Sequence, residues 1–189
     1  MTKFFPTVLI ALLPILTACG GGEILRYPVP AIEPEERVNV GFRTIEVREV
    51  ALPRYAEEEE IFQRIEGGAL TSTAKTLWAD DPARSVTLAL ARHLGTLSTA
   101  TVASEPWPFE ERPSVRVEVR VEDMLADSDG RFRMTGQYFV APTDGRRGRD
   151  GRFDLSAPIA PDSGIAGTAD ARAAVVLDLA RQIARDGLR

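Results

Sequence analysis

From residue 115 to residue 122 the chain reads Val-Arg-Val-Glu-Val-Arg-Val-Glu, with apolar and charged side chains in strict alternation. A period of two places the valines on one face of a β-strand and Arg116, Glu118, Arg120 and Glu122 on the other, which predicts a strand buried on one side. Asp127-Ser128-Asp129-Gly130 is turn chemistry. Beyond it Phe132, Met134, Tyr138 and Val140 predict a second strand, and residues 152–157 a third, giving an antiparallel meander. Upstream, apolar and charged residues largely alternate from Arg43 to Val50, another half-buried strand that Leu52-Pro53 ends. Residues 61–65 and 69–73 predict a short hairpin turned by Glu66-Gly67-Gly68, 99–103 a short strand, and 23–29 an edge strand, the only place where Pro28 is tolerated.

Two segments follow the helical period instead. Trp78-Ala79-Asp80-Asp81-Pro82 opens the first, with Asp81 as N-cap and Pro82 at the first helical position, where a missing N–H costs nothing. Val86, Leu90, Leu94 and Leu97 form its buried stripe. Residues 161–167 are expected to be a loop, after which Thr168 caps a final helix with Asp170 in its first turn. Ala169, Ala173, Val176, Leu177, Ala180, Ile183 and Ala184 give that helix a broad apolar face, with Arg172, Asp178, Arg181 and Arg185 in water. The face is rich in alanine and valine and has no Trp or Phe, so the helix is expected to pack on the sheet and not on a membrane surface. Strands and helices together predict an α/β sandwich: a mixed, largely antiparallel sheet with a mid-chain helix and a C-terminal helix packed on it.

The N-terminus departs from both periods. Lys3 precedes an apolar run from Phe4 to Leu16, the order of a secretory signal. The run is shorter than the roughly 20 residues a membrane-spanning helix needs, and Pro6 and Pro14 interrupt it. Small Thr17 and Ala18 stand directly before Cys19, the only cysteine in the chain. Leu16-Thr17-Ala18-Cys19 resembles a bacterial lipobox, which implies cleavage between Ala18 and Cys19 and acylation of the thiol. More than one acyl chain is enough for stable anchoring. Residues 1–18 therefore read as a lipoprotein signal peptide, 19–36 as lipidated cysteine, Gly20-Gly21-Gly22 tether and edge strand, and 37–189 as one domain. In sorting of the enterobacterial kind an Asp after the cysteine retains a lipoprotein in the inner membrane; Gly20 points to the outer membrane, facing the periplasm.

Composition narrows the chemistry. Losing residues 1–18 takes the net charge from −5 to −6, without the general basic face that nucleic-acid binding requires. With Cys19 committed to lipid, no thiol is left for a disulfide, a metal or a nucleophile. His93 is the only imidazole and lies mid-helix, expected as a packing residue. Asp80 and Asp81 are a pair of carboxylates that capping and the helix dipole already explain. Four consecutive glutamates, Glu57 to Glu60, read as a solvated face. No Gly-x-Ser-x-Gly elbow occurs. No catalytic residue, metal ligand or cofactor is expected, apart from covalent lipid. The one concentrated basic stretch is Gly145-Arg146-Arg147-Gly148-Arg149. Arg146, Arg147 and Arg149 read either as an exposed hairpin loop or as a contact for anionic lipid headgroups or an acidic partner.

A strand running into Val50-Ala51-Leu52-Pro53-Arg54-Tyr55, then Leu77-Trp78-Ala79-Asp80-Asp81-Pro82, a meander and an Ala-rich C-terminal helix, all behind a lipobox, resembles the PqiC-like ABC-type transport auxiliary lipoproteins. Many members follow the Tyr with an Asp-Arg-Pro-Gln-like segment; Glu57 to Glu60 stands there instead. The resemblance implies an α/β sandwich and a non-catalytic, outer-membrane-anchored subunit that works with an MCE-type lipid-transport protein, forms a homo-oligomer and supports membrane integrity. Two other classes remain: a periplasmic lipoprotein that binds lipid alone, which needs a sizeable apolar cavity, and a lipid-anchored hydrolase.

Overall fold

The valine ladder behaves as its period requires. In a computed structural model that describes residues 23–189, Val115, Val117 and Val119 are wholly shielded from solvent while Arg116 and Arg120 are exposed. The ladder belongs to one of nine strands among the described residues: β1 (Leu25–Tyr27), β2 (Thr44–Val47), β3 (Gln63–Arg64), β4 (Leu70–Thr71), β5 (Thr76–Trp78), β6 (Thr101–Ser104), β7 (Val115–Ala126), β8 (Arg131–Pro142) and β9 (Arg149–Pro158). The helices are a single turn, α1 (Arg54–Glu57), then α2 (Pro82–Leu97) and α3 (Gly164–Gln182), the last running into a π-helical turn at Ile183–Gly187.

Strands β7, β8 and β9 form the expected antiparallel meander. On its other side β7 pairs in parallel with β2, and β2 in parallel with β6, so the sheet runs β6-β2-β7-β8-β9. Where β2 stops, the β3–β4 hairpin continues the edge, with Gln63 opposite Ala126 at the far end of β7. The parallel β2–β6 pair requires a crossover, and α2 supplies it. A separate ribbon pairs β1 with β5, also in parallel. The sheet is therefore mixed, its long pairings antiparallel. Helices α2 and α3 pack against each other and cover one face, α2 over β2 and β6, α3 over β8 and β9.

Local chemistry fixes the helix that makes the crossover. Asp81 Oδ1 accepts from the Arg84 N–H at 2.7 Å and Pro82 sits at the first turn, as the sequence predicts. Val86, Leu90, Leu94 and Leu97 are all buried. The Thr87 hydroxyl donates to the Ala83 carbonyl and accepts from the Val50 N–H at 2.9 Å, which ties the exit of β2 to the helix beneath it.

Three expectations fail and one strand goes unforeseen, each where a distant contact overrides a local pattern. Trp78, just ahead of the helix cap, belongs to the unforeseen strand β5 and pairs with Tyr27. Helix α3 starts at Gly164, so residues 164–167 are helical, Thr168 lies inside the helix and Asp170 is past its first turn; Ile165 and Ala169 pack on Ile61 and Trp78, which holds a glycine-rich first turn that propensity alone disfavours. Arg172, expected in water, is 1% exposed. Glu46, on the expected wet face of its strand, is buried too, paired at 2.8 Å with Arg116, its neighbour across the parallel ladder.

Leu90 is fully buried at the centre of the helix face. Truncation to alanine removes its packing and leaves a cavity, so Leu90→Ala should lose about 2–5 kcal/mol of unfolding free energy, read as a lower urea midpoint with an unchanged slope.

Candidate functional site

The two segments that carried the family resemblance are latches in the fold. Tyr55 stands on α1 and reaches β7 where the register slips between Val121 and Asp123, a β-bulge. Its hydroxyl donates to the Asp123 carboxylate and accepts from the Met124 N–H at 2.9 Å. Arg64 closes the group, 2.7 Å from Asp123 and 3.1 Å from Asp127. Burial, then the bond to Asp123, raises the Tyr55 pKa well above that of a free phenol, so it remains a neutral donor. Opposite the bulge lies Gly136, with φ 158°, where a Cβ would stand 2.2 Å from the Arg120 carbonyl oxygen.

Trp78 and Arg172 make the second latch. The guanidinium carbon lies 4.4 Å from the indole centroid and Nη2 donates to the Pro82 carbonyl at 3.2 Å, joining β5, the start of α2 and the third turn of α3. Burial lowers the Arg172 pKa to about 10, partly offset by Asp80 and Asp81, so the group is charged at neutral pH. Its Nη1 has no hydrogen-bond partner among the described residues. Sequence reasoning missed this pair; a tryptophan just before the helix cap was its one visible signal.

The candidate acid–base groups have other work. Asp81 caps α2, Asp80 pairs with Arg84, and Glu57, Glu58 and Glu59 pair with Arg54 and Arg26 on the surface. His93 is 2% exposed and its Nδ1 bonds to nothing within the described residues. Burial, with Arg92 and Arg181 nearby, lowers its pKa to about 4. Among the described residues no three His, Cys, Asp or Glu gather as metal ligands would, and no helix is long and apolar enough to cross a membrane. Ala18 and Cys19, the expected cleavage and lipidation site, and the Gly20–Gly22 tether lie outside the described residues.

Arg146 and Arg147 are exposed on the loop between β8 and β9, while Arg149, expected in that loop, is an exposed residue that opens β9 opposite Val140, because the third strand starts three residues earlier than its pattern predicts. The loop is shaped by its own chemistry: Asp144 accepts from the Arg146 backbone N–H at 3.1 Å and from its Nε at 2.7 Å, and these bonds hold its carboxyl below the usual range. The Arg146 guanidinium lies 5.1 Å from the Phe42 ring centroid. Arg149 Nη1 donates to the Asp186 carbonyl, while Arg147 makes no ion pair among the described residues. These three and a fourth cation, Arg189, border a cleft of about 180 Å³ whose apolar lining is Phe42, Val140 and Pro142, with no carboxylate side chain in its wall. A wider, open trough of about 660 Å³ shares Phe42 and Arg146 and adds Arg43 and Arg112, with Glu111 its one acid. Between α2, α3 and the segment after β1, by contrast, the free space is about 40 Å³, against the several hundred that a lipid-sized ligand needs.

With the latches and the arginine cleft in place, comparison with known proteins decides the family. The model of the ABC-type transport auxiliary lipoprotein component matches residues 25–184. The chain belongs to this family. The ABC-type transport auxiliary lipoproteins are envelope lipoproteins that serve transport systems, and both latches lie inside the matched segment. A crystal structure of an uncharacterised protein superposes with a TM-score of 0.68 at 19% identity, covering 86% of this chain and 99% of its own. Protein XCC0632 of Xanthomonas campestris, of the DUF330 family, superposes at 0.67 with 14% identity, covering 85% and 92%. Both show the same fold. Among curated proteins none matches the chain.

Two measurements check this account of the auxiliary lipoprotein. Tyr55→Phe strips Asp123 and the Met124 N–H of a partner at once and should cost about 1–2 kcal/mol in chemical unfolding. His93 is expected to give an acid-side slope. The unfolded imidazole takes its proton near pH 6.5 and the buried one only near 4, so between these values the unfolded state holds more protons. Stability contributed by the neutral ring is complete above pH 6.5 and falls as pH drops towards 4, by about 3 kcal/mol at the limit. Between pH 6.5 and 5, above most carboxylates, His93→Gln should flatten the slope seen in urea melts.

Proposed function

We propose that the mature chain is held by acyl groups on Cys19, after cleavage following Ala18, in the outer membrane with its folded part in the periplasm. There it acts as a non-catalytic subunit of an MCE/ABC-type lipid-transport system, docking the MCE conduit and supporting membrane integrity. Residues 1–18 are removed, 19–36 lead from the anchor into the fold, and 37–189 form the working domain. The observation that carries the proposal is the family match across residues 25–184, with the most specific family segments serving as the Tyr55 and Trp78–Arg172 latches and not as reactive groups. Assembly of several copies is supported by the outer edge of β9, which pairs with no strand among the described residues.

A lipoprotein that binds lipid alone is the weaker reading, because the space between the helices is so small. A lipid-anchored hydrolase is weaker still, with Asp80 and Asp81 engaged at the start of α2 and His93 shut inside.

The test is made in cells. Full-length protein should fractionate with the outer membrane, and Cys19→Ser should release it to the soluble periplasm. Crosslinking of the lipidated protein in intact cells should yield an adduct with an MCE-type protein encoded in the same genome. If Cys19→Ser stays membrane-bound and supports the envelope as well as wild type does, the anchor proposal is wrong. A wild-type chain that yields no MCE adduct rules out the docking role.

A further inference from the structure

The molecule has two unlike poles, and α3 measures the distance between them. At one end its first turns, Ile165 and Ala169, pack with Tyr27 and Val29, beside the strand that leads back to Glu23, the first described residue. At the other end the Asp186 carbonyl accepts from Arg149, and Gly187 lies against Val140. The intervening 21 residues rise by about 1.5 Å each, so the poles stand roughly 30 Å apart. The segment after β1 makes the same journey: Val38 bonds to the Leu97 carbonyl at the end of α2 and Gly41 to that of Leu188, delivering Phe42 beside the arginine cleft.

The surfaces of the poles differ in kind. Six large apolar side chains are markedly exposed among the described residues, and four of them, Ile24 just ahead of β1, Leu25 on it, and Ile65 and Leu70 on the β3–β4 hairpin, lie at the pole where the chain leaves for Cys19. Three residues, Gly20 to Gly22, separate Cys19 from Glu23. The four steps from Cα to Cα span at most about 14 Å, half the length of the body.

Resting on the anchor proposal above, we infer that the protein stands on its membrane by the Ile24–Leu25–Ile65–Leu70 pole and presents the arginine cleft, at the distal pole, to an acidic segment of a protein partner. The cleft suits such a segment. Its guanidinium groups can grip carboxylates in a planar two-pronged manner, and Phe42, Val140 and Pro142 receive an apolar side chain between them. Headgroups of the protein's own bilayer lie at the wrong pole. Only a pose lying along the membrane brings the arginines to them, and the vesicle measurements below detect that pose.

The probe is a fluorescein-labelled peptide of glutamates around one central tryptophan, titrated by anisotropy against the lipidated protein in detergent and in vesicles of phosphatidylethanolamine, with and without phosphatidylglycerol. Binding should weaken with added salt. It should fall at least about tenfold in the Arg146→Ser, Arg147→Ser, Arg149→Ser triple variant and recover in part when the three are Lys, because charge returns without the fork. Phosphatidylglycerol should leave it unchanged. An environment-sensitive fluorophore on Leu70→Cys should shift to the blue in vesicles, and on Arg147→Cys should not. Equal binding by wild type and the Ser variant, or none by either, overturns the acidic-segment site. Suppression of peptide binding by phosphatidylglycerol, or a blue shift at position 147 without one at 70, overturns the orientation. The detergent titration needs neither a membrane nor a transport partner, so its failure is distinct from that of the proposed function.

Discussion

Strand β7 has more neighbours than a strand ordinarily has, and the rest of the molecule follows from satisfying them. One edge is taken along its whole length by β8; the other is shared in succession by β2, by Ala51 and by the β3 hairpin. Its valines form a continuous apolar face that must be taken out of water, and burial of such side chains contributes about 1.5–3 kcal/mol each. Two helices are the least that can roof a face of that width. Helix α2 comes from the crossover that a parallel β2–β6 pair demands, and α3 from the C-terminus, so the sheet order dictates where each helix falls.

This division explains what could be read in advance. The β7–β8–β9 meander, the hairpin turned by Gly67 and Gly68, and the Asp81–Pro82 start of α2 are written in spacings of two to four residues, and they form where the spacings place them. Strand β5, the early start of α3 and the burial of Arg172 and Glu46 depend on residues from about 50 to 90 positions away. A charged residue at the edge of an apolar stripe has the same local pattern whether it meets water or a tryptophan ring. At the arginine loop the charges were legible; the cleft was not, because its wall joins Phe42, Val140 and Pro142 from separate parts of the chain.

The same division separates what holds the family together from what a member uses. Tyr55 and Trp78 hold α1, α2 and α3 to the sheet, and their chemistry is spent inside the fold. Of the glutamates that follow Tyr55, Glu57, Glu58 and Glu59 are surface groups paired to Arg54 and Arg26, while the half-buried Glu60 accepts from the Ser72 hydroxyl. Variation there leaves the latch untouched, as does variation in the loop between β8 and β9.

The parallel pairing of β2 also bears on how the molecule comes into being. Ile45, Glu46 and Val47 find their ladder partners at Val115, Arg116 and Val117, some 70 residues downstream. Pairings of such separation must overcome loop-closure entropy before contact rewards it, and chains rich in them fold slowly. In a chain that emerges from its N-terminus, β2 can find β6 first, but its other edge stays open until β7 follows. An unfinished sheet edge of that kind is the surface a holding chaperone covers.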